Sequence, residues 1–240
     1  MKGKACELGL APSRTGGAFS AHFDKVLGFD LAMKDEWYTI GVPSHCKYDA
    51  SRTVRPLTVK PAYEAIAEEI EQTPDMFERL RSSVAAGQWC SNYTNNDVVK
   101  NNPPGTVLPL GLYLDGVQYQ KRDTTIGIWA INLLTSRRHL LACIAKRWLC
   151  RCGCKGYCSL YPVLAWVEWC FATMIAGAYP ADRHDGPWPV GSKQLAFVGQ
   201  PLGFLAVPII IKGDWAAFNS TLCFRAWNHY THPCFKCFAS

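Results

Sequence analysis

The stretch Leu108-Pro-Leu-Gly-Leu-Tyr-Leu-Asp115-Gly116 sets the fold class expected of this chain. Leu108, Leu110, Leu112 and Leu114 fall on alternate positions, so an extended backbone puts all four on one face and carries Asp115 out at the strand's carboxyl end. Open α/β sheets hold their ligands at such ends. A second stretch, Phe204-Leu-Ala-Val-Pro-Ile-Ile-Ile-Lys-Gly-Asp214-Trp215, repeats the form: an apolar run, a glycine that lets the backbone turn, and one aspartate just past it. Carboxylates on neighbouring strand ends can share a hard divalent cation, which neither would hold alone.

Working outward from Asp115, the residues from Gly116 to Asp123 read as a polar turn. Thr124 to Ile131 then alternates with Ile126, Ile128 and Ala130 on one side, and Arg138 to Ala145 gives a third apolar run. Three runs joined by short turns predict an antiparallel meander. Ser159 to Gly177 carries one charge, Glu168, in nineteen residues. Pro162, the central Glu168 and the aromatics Tyr161, Trp166, Trp169 and Phe171 predict a helix covering the sheet rather than a membrane span. A polar, proline-rich stretch from Tyr179 to Gln200 leads back to the strand that ends at Asp214.

Upstream, Ala62 to Ala86 reads as two short amphipathic helices separated by the helix-start signal Thr73-Pro74-Asp75. Asn92 to Gly105 reads as a linker. Residues 1 to about 60 are interrupted by Gly, Pro, Ser and Thr and are expected to be an irregular, partly disordered lead-in. The expected organisation is an irregular and helical N-terminal region over 1–104, followed over 105–240 by an α/β core with a Cys-rich insertion near 150–158.

The 25 basic and 19 acidic residues leave a formal charge of +6, which suits nucleic acid or an anionic surface without requiring either. No apolar stretch follows Met1-Lys-Gly-Lys, so no secretory signal is expected, and the twelve cysteines are read as reduced thiols. Cys150, Cys152, Cys154 and Cys158 fall within nine residues, as soft ligands for a tetrahedral Zn2+, with Gly153 and Gly156 allowing the tight turns. Single-residue spacers strain such a site, so one arrangement binds three of the four and completes the set with His139, His184 or another cysteine. Cys234 and Cys237 form a Cys-x-x-Cys hook, half of a second site, with His229, His232 and Cys223 nearby. Cys6, Cys46, Cys90, Cys143 and Cys170 are expected to be small core residues. Lys121, Arg122, Arg137 and Arg138 cluster at turns of the meander, where they either contact DNA phosphates or stand as solvated strand ends. His184, between Arg183 and Asp185, reads as part of a surface ion-pair cluster.

The order strand, strand, strand, helix, strand, with Leu112-Tyr-Leu-Asp115-Gly-Val and Ile210-Ile-Lys-Gly-Asp214-Trp, resembles the ribonuclease-H-like mixed sheet of DDE/DDD transposases. Among these it is most similar to the CACTA-like and related eukaryotic elements. The segment Cys150-Arg-Cys152-Gly-Cys154-Lys-Gly-Tyr-Cys158, the later Arg183-His184-Asp185-Gly186 and the tail Pro233-Cys234-Phe-Lys-Cys237 add to the likeness, which covers about residues 105 to 240.

The resemblance implies that Asp115 and Asp214 are two of the acidic ligands for Mg2+ or Mn2+ in phosphoryl transfer. It also implies DNA as partner, a nuclear location and room for a homodimer. The third acid of that pattern is absent, since no Asp or Glu lies between Trp215 and Ser240. The expectation is therefore a truncated nuclease core, inactive alone. The competing expectation is a non-enzymatic structural or membrane-associated subunit with a metal-binding cysteine cluster.

Overall fold

The computed structural model describes residues 38–45, 51–120, 123–214, 218, 219 and 222, with the side chains of 117–123 left aside. Its centre is a four-stranded mixed sheet. β3 (Val107–Gln120) pairs antiparallel with β4 (Asp123–Asn132), and β4 pairs antiparallel with β5 (Arg138–Ala145). β6 (Leu205–Gly213) pairs parallel with β3 on its other side, giving the order β5-β4-β3-β6. A parallel neighbour needs a crossover, and the 20-residue helix α5 (Tyr157–Ala176) lies in the connection between β5 and β6. The molecule is thus a mixed α/β protein.

The alternation of leucines does what its spacing predicts. Leu108, Leu110 and Leu114 are fully buried and Leu112 nearly so, in one core cluster with Ile126, Ile128, Leu160, Val163, Trp166 and Met174. α5 packs on β6, on β1 (Tyr38–His45) and on α1 (Ala62–Gln72). Among the described residues it is the single helix long and apolar enough to cross a membrane by length and composition. Yet Trp166, Val163, Cys170 and Met174 are buried in the protein's own core. Pro162 falls at the sixth residue of the helix, and Gly177 ends it in the left-handed conformation, at φ 67°.

Three differences from expectation have local causes. First, residues 38–59 are not irregular where described: β1 and β2 (Arg52–Val59) form an antiparallel hairpin in which Tyr38, Ile40, Val42 and Ser44 alternate inward. Pro43 and Pro56 are tolerated because a two-stranded sheet has only edge strands, where a missing N–H can face away from the partner. Second, Gly116 to Gln120 is strand rather than turn. β3 goes on pairing with β4 past the point where β6 stops, so Asp115 stands within β3 and marks the end of the parallel ladder, not of the strand.

Third, the expected linker holds two one-turn helices, α3 (Ser91–Thr94) and α4 (Asp97–Lys100), which follow α2 (Met76–Ala85). They cover the sheet face opposite α5. Tyr93, buried, packs with Val107 and Val207 and donates its hydroxyl to the Val107 carbonyl at 2.6 Å. The main core cluster draws on residues on both sides of position 104, from Tyr38 to Ala206.

Candidate metal centres

The parallel register brings the two aspartates to one level. The ladder pairs Tyr113 with Lys212 and Leu114 with Gly213, so Asp115 and Asp214 each follow the last paired residue of neighbouring strands. Parallel strands lie roughly 4.8 Å apart. Along β3, Asp115 shares a face with Tyr113, opposite the buried Leu114, and the Tyr113 hydroxyl donates to Asp115 Oδ2 at 2.8 Å. That bond, with the Asp115 and Asp214 charges, pushes the Tyr113 phenol up, while Arg138 opposes the shift. The Arg138 guanidinium lies 4.9 Å from the centre of the Tyr113 ring, and Trp129 packs against that ring at 5.3 Å. Asp115 is half-buried and Asp214 exposed. Both carboxylates thus act on the Tyr113 ring from one end of the parallel ladder.

The basic residues separate. Arg138 stands over Tyr113 beside the acidic pair, whereas Arg137 donates from Nη1 to Gln72 Oε1 at 2.7 Å, tying the β4–β5 turn to α1. Lys121 and Arg122 lie outside the described residues, as do Cys234, Cys237, Cys223, His229 and His232. Lys212, the register partner of Tyr113, brings a further cation to the edge that sequence reading passed over. Lys146 also reaches this end of the sheet: its ammonium would lie 4.0 Å from a Cβ added at Gly116.

The cysteine cluster forms from a loop between β5 and α5. All four Sγ atoms of Cys150, Cys152, Cys154 and Cys158 lie within 4.8 Å of one another. A tetrahedron with Zn–S of about 2.3 Å has edges of roughly 3.8 Å. The Cys152 and Cys158 sulfurs are 3.7 Å apart. The strain expected of single-residue spacers is relieved in the backbone, where Gly153 and Gly156 both take φ 91° and Lys155 takes φ 52°. No outside ligand is needed, and the two candidate histidines are engaged elsewhere: His139 Nε2 meets Glu69 Oε2 at 2.6 Å, and His184 Nδ1 meets the Tyr38 hydroxyl at 2.8 Å. Four close thiols of this kind could hold a metal ion such as Zn2+.

The loop is anchored on both sides. The Cys150 amide donates to Ser159 Oγ at 2.7 Å, Ser159 Oγ donates to the Pro43 carbonyl, the Arg151 amide donates to His45 Nδ1 at 3.0 Å, and Leu149 bridges to Ser44. The Cys158 amide points at Cys154 Sγ, 3.5 Å away. That amide, at the first turn of α5, is the main cause that brings the Cys154 thiol down to about 6, while hydrogen bonds to Cys154 and Cys152 push the Cys158 thiol up to about 12.

His184 does join an ion-pair cluster, its Nδ1 3.6 Å from Asp185 Oδ1, but its side chain is largely shielded against Tyr38 and Trp169, and burial pushes its pKa down. The exposed partner is Asp185, which takes the guanidinium of Arg183 at 2.8 Å. Of the cysteines expected in the core, Cys170 is there, but Cys90 and Cys143 are exposed and Cys6 and Cys46 lie outside the described residues. Cys143 is the one exposed position between the buried pairs Leu141–Ala142 and Ile144–Ala145, just past the irregularity in the β4–β5 ladder.

Sequence reading also missed a buried carboxylate, Glu69 on α1, which meets His139 and Thr135 of the β4–β5 turn region. The one available signal was Glu69 itself, falling one residue before Ile70 on the apolar side of its helix. No family model matches the chain, and no curated protein or solved structure matches it either. The fold and the site define a mixed α/β protein with a four-cysteine cluster.

Proposed function

We propose that this chain is a transposase-type, ribonuclease-H-like core whose Asp115 and Asp214 bind Mg2+ or Mn2+ and act on DNA in the nucleus, with the four cysteines holding a structural Zn2+. The observation that carries the reading is the equal level of Asp115 and Asp214 on the parallel pair β3 and β6. The sheet order β5-β4-β3-β6 supports it, because three antiparallel strands followed by a helix and a parallel fourth strand is the order expected from the resemblance.

A divalent cation pair, when bound, activates the attacking oxygen and stabilises the leaving one in phosphoryl transfer. The chain's own residues would hold and orient it: Asp115 and Asp214 supply oxygens, and Tyr113 fixes the rotamer of Asp115 through its hydroxyl. Arg138 and Lys212 supply positive charge along the same face for an incoming phosphate. Among the described residues two carboxylates are on hand at this edge, so the reading is metal and DNA binding without strand cleavage by this chain alone.

The test is a Mn2+ titration of the zinc-loaded protein, followed calorimetrically. Binding that disappears in the double variant Asp115→Asn/Asp214→Asn supports the reading, and binding indifferent to both substitutions overturns it. A membrane-associated subunit is the second reading, and α5 is its basis. Retention in the membrane fraction after carbonate extraction would favour it.

A further inference from the structure

A second group of cations and exposed rings gathers around the cysteine loop. Arg55, from β2, and Arg147, from the 3-10 turn Lys146–Trp148 that follows β5, both lie over the ring of Trp148, at 5.6 and 5.5 Å. Arg52 is the register partner of His45, and the Arg151 amide bonds to the His45 ring, so these two arginines flank one residue. Lys155 stands exposed in the loop. Tyr157 and Tyr161, one turn apart at the start of α5, are 45% and 58% exposed with ring centres 5.8 Å from each other.

The segment Lys146 to Tyr161, which carries Arg147, Arg151, Lys155 and both tyrosines, contains no Asp or Glu. Like charges held this close favour a polyanion, whose binding releases condensed counterions. The exposed rings say which polyanion. Tyrosines standing out of the surface stack on the faces of unpaired bases, and a duplex hides those faces. Among the described residues the exposed large apolar side chains here are Val54, Trp148, Tyr157 and Tyr161, one aliphatic group against three rings, which offers a lipid surface less to bury than it offers bases to stack on.

We propose that the hairpin β1–β2, the turn at Trp148 and the cysteine loop together bind a single strand of nucleic acid. Arg52, Arg55, Arg147 and Arg151 neutralise its phosphates, and Tyr157 and Tyr161 stack on its bases. The inference does not need the acidic pair, and its test keeps the two apart.

The full zinc-loaded chain is titrated, without added Mg2+ or Mn2+, into a fluorescein-labelled oligo-dT strand, a duplex of similar length and phosphatidylserine vesicles. The oligo-dT strand should bind about tenfold more tightly than the duplex, and Tyr157→Ala/Tyr161→Ala should remove that preference. Arg147→Gln/Arg151→Gln should flatten the dependence of log K on log salt by roughly 1.4, at about 0.7 per phosphate contact on a single strand. Asp115→Asn/Asp214→Asn should leave all of this unchanged. Duplex bound as tightly as the single strand, binding to vesicles but not to oligonucleotide, or indifference to both the tyrosine and the arginine pairs overturns the proposal. Loss of Mn2+ binding with strand binding intact, or the reverse, tells which of the two readings has failed.

Discussion

Replacing His139 by alanine should unfasten the β4–β5 turn from α1. Glu69 is 1% exposed and His139 12%, so their 2.6 Å contact is largely shielded from solvent, and Thr135 Oγ1 donates to the other carboxylate oxygen. Beside them the fully buried Asn132 accepts from the Leu134 amide at 3.1 Å and holds the turn. Breaking a buried pair by removing one partner costs about 3–5 kcal/mol, because the remaining charge is stranded. Thr135 still reaches Glu69, which puts His139→Ala near the lower end, about 3 kcal/mol. For a chain of this size, with Tm moving roughly 2–4 °C per kcal/mol, that is a fall of about 6–12 °C.

Calorimetric and circular-dichroism melts of His139→Ala, Glu69→Gln and the double variant give the coupling energy. Burial pushes the Glu69 carboxyl up, but hydrogen bonds from His139 and Thr135, with the His139 charge, outweigh it and hold the carboxyl below its ordinary value. A carboxyl depressed in the folded state stabilises above its unfolded pKa, about 4.3, and that stability is lost as pH falls through the folded value. The gap between wild type and Glu69→Gln should therefore be full at neutral pH and shrink in acid. A His139→Ala variant within about 1 kcal/mol of wild type, single effects that simply add, or a gap that widens on acidification would refute the reasoning.

Chelation of zinc should raise hydrogen exchange at Cys150–Cys158 and in β1, to which the loop is tied through Ser159, His45 and Ser44, while β3 and β6 stay protected. Cys152→Ser should reduce the zinc content, measured by plasma mass spectrometry, from one per chain to well below it. Tyr113→Phe removes the hydrogen bond that orients Asp115 and should weaken Mn2+ binding about 10–100-fold with unchanged circular dichroism. Unaltered affinity would show that Asp115 needs no such support. At Gly127 an added Cβ would come within 2.0 Å of the Trp129 ring, so Gly127→Ala must drive that indole off the strand and away from Tyr113. The expected cost is about 1–3 kcal/mol, with a changed tryptophan signal in near-UV circular dichroism.

Much of this was written locally. The alternation of Leu108, Leu110, Leu112 and Leu114 fixes a face because side chains in a strand repeat every second residue, and the apolar run from Ser159, with Pro162 and Glu168 inside it, reads as a long helix over the sheet. Four cysteines within nine residues cannot lie far apart, so their convergence was legible as well, although the left-handed turns at Gly153, Lys155 and Gly156 that let all four meet were not.

What lies far apart along the chain was decided by tertiary structure. That β6 joins β3, and joins it in the register that levels Asp214 with Asp115, depends on α5 carrying the chain across and packing on β6, and on the bulge at Ile209 absorbing one residue. Glu69 and His139 meet across seventy residues because α1 and the β4–β5 turn are pressed against one core. Arg55 and Arg147 converge on Trp148 for the same kind of reason. Periodicity tells a residue which side to face, and only the burial of one element against another tells it whom it will face there.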